Sequence, residues 1–159
     1  MDEKKLKVLL IHSVEEVFKK MMSIDVAEKD AEHYENPVNH PFMTASIGYA
    51  GQMNGNMIIR CSQELSQLIT SKMLYVDIAS VKLEETTDAI GEVVNMVAGK
   101  FKALFSEFYS EGRDAVRMTV PTVVLGKNYN LYPVGGQKAM EVVMEIEQQK
   151  IGIMLAIKE

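Results

Sequence analysis

Asp88, Glu92, Asn95 and Gly99 follow one another at intervals of four, three and four residues. On a helix such intervals return to the same side, so these residues form one stripe. A carboxylate can anchor a cation. A carboxamide has a donor end and an acceptor end and does not titrate, so it can orient a water without competing for its proton. A polar outer face needs no function in general, and Asp88 alone asks for no more than solvent. Asn95 and Gly99 ask for more. Asn is a poor mid-helix residue because its side chain competes for the backbone. Gly costs roughly 1 kcal/mol there relative to Ala. Neither has a packing reason on an outward face, where a glycine lets another backbone come close. The stripe reads as a docking line with projecting polar groups.

Other constellations carry weaker chemistry. His33 and His40 lie among Asp30, Glu32 and Glu35, but without the tight ligand spacing of a metal site, and no metal is expected. Cys61 is the single cysteine, which excludes an internal disulfide framework and reads as a small buried hydrophobe. His12 reads as structural. Gly126-Lys127 and Gly135-Gly136 lack the strand–helix context of a phosphate loop. No nucleophile elbow or paired-carboxylate arrangement is present.

The stripe needs a helix to hold it, and the sequence supplies one from about Leu83 to Phe108. Ile90, Val94, Val97, Phe101, Leu104, Phe105 and Phe108 fall on one face, with Val93 at its edge. A first helix is expected from about Leu6 to Ile24, and a second from Gln63 to Leu74 with Ser62 as its N-cap and Glu64 in its first turn. Between them lies a polar stretch, Asp25 to Pro41, interrupted by Asn36-Pro37 and His40-Pro41. Thr44–Tyr49 and Met57–Cys61 read as a hairpin around Gly51–Asn56. Tyr75–Ala79 is ambiguous. Val116–Val120 and Val123–Leu125 read as short strands, and Gly126–Gly136 as a loop. Gln137–Ile146 and Ile151–Ile157 read as two strands joined around Gln148-Gln149, with Val142, Met144 and Ile146 alternating against glutamates. The order predicts an α+β domain spanning residues 1–159, with a mainly antiparallel sheet covered on one face by long helices. A weak internal repeat sets Glu16-Val17-Phe18-Lys19 in the first helix beside Glu92-Val93-Val94-Asn95 in the long one.

The length, 159 residues, suits one core, and 47% hydrophobic with 25% charged residues is ordinary for a globular chain. The net charge of -5, with no local run of Lys or Arg, argues against nucleic acid. Val8–Ile11 is too short an apolar stretch for a signal peptide or membrane span, so a cytoplasmic protein is expected. Most of the twelve methionines are expected in the core.

With these elements in place, the chain resembles the CheC/CheX/FliY phosphatases. The resemblance rests on Asp88-x3-Glu92-x2-Asn95 within Gly91–Gly99, on Val120-Pro121-Thr122-Val123-Val124-Leu125-Gly126, and on Gly48-Tyr49-Ala50-Gly51, and it covers nearly the whole chain. The interval from Asn95 to Pro121 is a few residues longer than is usual in the family, an excess expected between Glu107 and Asp114. Lys19 stands where a second site would need Asn, so a one-site, CheX-like protein is favoured over a two-site, CheC-like one.

The resemblance implies a phosphatase acting on a phosphorylated CheY-like response regulator, in chemotaxis signalling. It implies that Asn95 positions the attacking water and that Glu92 docks on the receiver's lysine. Asp88 and Gly99 would assist docking, and Pro121 would shape the strand end near the site. No cofactor of its own is implied, since Mg²⁺ would come with the partner. A homodimer is implied, with the C-terminal strands as candidates for edge pairing. Two rival readings are a non-catalytic binding module of the same fold and a plain interaction domain that dimerises through its sheet.

Overall fold

The computed structural model describes residues 2–29, 42–109, 116–127, 129, 131–133 and 135–158. Among these residues there are three α-helices: α1 (Glu3–Met22), α2 (Gln63–Leu74) and α3 (Leu83–Tyr109). Seven strands accompany them: β1 (Ala27–Lys29), β2 (Phe42–Gly51), β3 (Asn54–Ser62), β4 (Val116–Met118), β5 (Thr122–Gly126), β6 (Lys138–Ile146) and β7 (Gln149–Lys158). They form one antiparallel sheet in the order β1-β6-β7-β3-β2-β4, with β5 also paired to β2. The α+β expectation holds.

Local chemistry accounts for the element ends. Asp2 caps α1 by accepting from the Lys4 N–H, and Ser62 caps α2 by accepting from the Leu65 N–H. Glu85 reaches back to accept from the Lys82 N–H at 2.9 Å, which satisfies an orphan donor at the start of α3. Between α2 and α3, the ambiguous stretch forms a 3₁₀ turn at Ile78–Ser80 whose cap is Asp77. The β6–β7 turn is made by Glu147 and Gln148, at φ +47° and +69°, one residue earlier than expected. Positive φ at both positions matches the twist of the flanking strands.

The core lies between the sheet and the helices. Met43, Ala45, Ile47 and Tyr49 of β2, Met57, Ile59 and Cys61 of β3, and Ile151, Ile153, Leu155 and Ile157 of β7 are buried at every second position. Leu10, Val14 and Phe18 of α1 close over them, as do Ile90, Val94, Val97 and Phe101 of α3.

Three expectations change. Phe108 is 54% exposed rather than part of the core face. It lies in the last turn of α3, where Lys5 of α1 stacks over its ring at 4.2 Å. β7 is not an edge, because it sits between β3 and β6, while β6 is covered by β1 only at Val143–Glu145. Among the described residues, the edges are β1 and the Lys138–Val142 part of β6 on one side and the β4/β5 pair on the other. Finally, Val116–Val120 is not one continuous strand, since the ladder ends at Met118. Residues 110–114, where the excess length was placed, and His33, His40, Asp30, Glu32 and Glu35 lie outside the described residues.

Candidate functional site

α3 carries the stripe as its periodicity predicts. Asp88 and Glu92 are exposed, while Asn95 and Gly99 are half-buried. Among the described residues, the side chains of Asp88, Glu92 and Asn95 make no hydrogen bond or ion pair. Glu92 and Asn95 stand three residues apart, about 4.5 Å along the helix axis. A Cβ placed on Gly99 would meet nothing within 4 Å, so the surface there is open.

Three contacts fix how α3 is rotated, and therefore where the stripe points. The first comes from beneath. Tyr49 of β2 is 4% exposed, and its hydroxyl donates to the Ala98 carbonyl at 3.0 Å. Its ring also packs on Phe101, with centroids 6.2 Å apart. Burial drives the phenol's pKa well above its ordinary value, so this donor stays protonated.

The second contact comes from the sheet edge. Ser46 pairs with Thr122 and Tyr49 with Met118, so three steps along β2 face four steps along the opposing chain. The extra residue makes a bulge at Thr119–Pro121. Proline cannot donate to a ladder, which explains why the break falls here. Thr119 takes over the pairing with Gly48: its N–H donates to the Gly48 carbonyl at 2.9 Å, and its Oγ1 accepts from the Gly48 N–H at 2.8 Å. A side chain at Gly48 would come within 3.1 Å of the Thr119 methyl. The bulge leaves Val120 83% exposed and brings Pro121 and Val123 against Gly91, one residue before Glu92. A Cβ on Gly91 would lie 3.5 Å from Val123 and 4.0 Å from Pro121. Pro121 thus forms a wall beside the stripe.

The third contact holds the opposite flank. Lys100 of α3 reaches Glu16 of α1 at 2.7 Å. Glu16 also takes Lys20 and lies 3.5 Å from His12. Lys100 and then Lys20 hold the Glu16 carboxyl down at about 2. Lys19 is paired with Asp25 at 2.9 Å.

Cys61 is buried and its thiol is pushed up to about 12, so it is no nucleophile at neutral pH. Among the described residues, no group of three His, Cys, Asp or Glu side chains is placed to hold a metal ion. The structure therefore brings Asp88, Glu92, Asn95, Gly99 and Pro121 to one end of one surface. It adds Tyr49, Gly91, Thr119 and Lys100 as supports that sequence reasoning missed. The bulge left a trace in the sequence: a proline between two segments that read as strands.

Comparison with known proteins locates this arrangement. The sequence model of the family described as "Chemotaxis phosphatase CheX" matches residues 43–145, a span that contains all five stripe and wall residues. CheX from Vibrio vulnificus superposes with a TM-score of 0.79 at 24% identity, over 96% of each chain. CheX from Desulfovibrio desulfuricans gives 0.79 at 18% identity, over 97% of this chain and 99% of that one. CheX in a complex with CheY, BeF3 and Mg²⁺ from Borrelia burgdorferi gives 0.69 at 20% identity, over 96% and 97%. At these identities the likeness shows the fold. No curated protein matches at the sequence level.

Proposed function

Because the chain belongs to the CheX family of chemotaxis phosphatases, we propose that it hydrolyses the aspartyl phosphate of a CheY-like response regulator. The observation that carries this reading is the pair Glu92 and Asn95, one turn apart on an outward face and satisfied by nothing in the described chain. Support also comes from the complex of a similarly folded CheX with CheY.

An aspartyl phosphate is an acyl phosphate and already reactive. What a catalyst adds is position: a water held in line with the carboxylate leaving group. The Asn95 carboxamide accepts one hydrogen bond from that water and donates elsewhere in the partner's pocket. Water oxygen bonds to phosphorus as the P–O bond to aspartate breaks, which returns the carboxylate and releases inorganic phosphate with the water's proton. Glu92 pairs with the receiver's lysine and fixes α3 in register over the phosphate. Asp88 adds negative charge to the same approach, Gly99 leaves room for it, and Pro121 shapes the strand end beside it. Mg²⁺ comes with the partner, whose own acidic pocket holds it. The site of action is then the cytoplasm, where the regulator works, and the working form is a homodimer. No helix among the described residues is long and apolar enough to cross a membrane.

The test is phosphate release from a panel of purified receiver domains. Wild-type protein should accelerate release from a cognate member. Asn95→Ala should remove the acceleration while binding and fold persist. Binding by the wild type without any acceleration would instead make the protein a docking module, and full activity in Asn95→Ala would remove Asn95 from the chemistry.

A further inference from the structure

We propose that Lys102 is a second docking charge on α3, and that the partner presents a carboxylate to it on the far side of the phosphate from the cation that meets Glu92. This inference rests on the phosphatase reading and deepens it by giving the partner's surface a polarity.

Lys102 continues the stripe. It follows Gly99 by three residues, so Asp88, Glu92, Asn95, Gly99 and Lys102 share one helix face. The face has a direction. Its start is acidic, with Glu84, Asp88 and Glu92; its middle is uncharged, with Asn95 and Gly99; Lys102 makes its end basic.

Lys102 and Lys4 are the two lysines of α1 and α3 whose side chains have no partner among the described residues; Lys7 is taken by Glu28. Lys100 and Lys20 are taken by Glu16, Lys19 by Asp25, and Lys5 lies over the Phe108 ring. The Lys102 side chain makes no ion pair or hydrogen bond among the described residues. Its own helix offers it no countercharge, since the residues three and four away are Gly99, Ala98, Phe105 and Ser106.

Gly99 strengthens the case. Helical side chains lean toward the N-terminus, over the residues three and four positions earlier. For Lys102 that ground is Ala98 and Gly99, and a Cβ on Gly99 would meet nothing. The ammonium can therefore extend along an open surface toward Asn95. Measured along the helix, Glu92 and Lys102 lie about 15 Å apart, shortened by that lean. Charges of opposite sign on the two sides of Asn95 allow only one direction of approach, which is how complementary rims set register.

The experiment uses a receiver domain on which the wild type is active, phosphorylated with acetyl phosphate in Mg²⁺. Lys102→Glu should raise KM about tenfold and Lys102→Ala about threefold, both with kcat at saturating partner nearly unchanged, and Lys102→Arg should keep the wild-type KM. The KM of Lys102→Glu should also depend less on salt than that of the wild type. Replacing the partner carboxylate that meets Lys102 with lysine should restore Lys102→Glu. A wild-type KM in Lys102→Glu, with folding verified by circular dichroism, overturns the proposal. So does equal damage by Lys102→Arg and Lys102→Glu, which would indicate packing rather than charge. Retained turnover in Asn95→Ala would defeat the catalytic reading alone, because the Lys102 variants are read through KM and its salt dependence.

Discussion

α1 and α3 lie against each other in opposite directions, with Lys5 beside Phe108 and Glu16 beside Lys100. Each carries a glutamate followed three residues later by a polar side chain: Glu16 and Lys19 on one, Glu92 and Asn95 on the other. The two pairs are in opposite states. Glu16 is held by Lys20 and Lys100, and Lys19 by Asp25. Glu92 and Asn95 are held by nothing in the described chain. The same spacing yields an internal clamp where α3, α1 itself and the segment after it provide countercharges, and an open face where none is provided. Spacing marks a candidate site, and satisfaction of its groups decides whether the site is open.

The contrast can be broken most directly by alanine on each side. Asn95→Ala should reduce stimulated phosphate release on the order of a hundredfold, as loss of a positioning group in the transition state does. Lys19→Ala should leave it at the wild-type level. Comparable losses in both would mean that α1 also works on substrate. Next in size, Glu92→Lys should cost about tenfold in KM and be rescued by the reciprocal charge change on the receiver. Failure of every such swap would leave the ion pair without support.

Two smaller effects sharpen the comparison through stability. Tyr49→Phe deletes the bond to the Ala98 carbonyl and should cost about 1 kcal/mol, seen as a lower urea midpoint. If the bond sets the rotation of α3, stimulated release should fall as well. Glu16→Gln tests the clamp by pH. The Glu16 carboxyl sits at about 2 in the folded chain, against an ordinary value of 4.5. Its contribution is therefore present above about 4.5 and fades as pH falls toward 2. Thermal melts should show Glu16→Gln less stable than wild type at pH 7, with the gap closing as acid is added. A gap that stays constant down to pH 2 would mean that the carboxylate charge is not what stabilises α1 against α3.

Much of this molecule could be read from local pattern. The α3 stripe was legible because one helix holds all of it and 3.6-residue periodicity orients it. Ser62 and the β2–β3 hairpin were legible for the same local reason. What periodicity does not encode is which strands become neighbours. The clean alternation of Val142, Met144 and Ile146 identified a strand but could not say that β7 lies inside the sheet or that β1 covers part of β6. Phe108 fitted the apolar face in angle, yet angle does not reveal that the last turn of α3 leaves that ring half in solvent beneath Lys5. The supports of the site were hidden because each joins residues far apart in sequence: Tyr49 to Ala98, Gly91 to Pro121, Glu16 to Lys100.

The bulge between Met118 and Thr122 is a place where chain length, rather than side-chain identity, sets shape. Deleting its extra residue would bring the pairings of β4 and of β5 along β2 into a single register and would reposition the chain around Pro121. The contour beside Asn95 can thus be redrawn by insertion or deletion at a sheet margin, while Phe101, Val97 and Ile90 keep their packing beneath. The contour of the surface beside the stripe and the packing that holds the fold are then governed by different parts of the same chain.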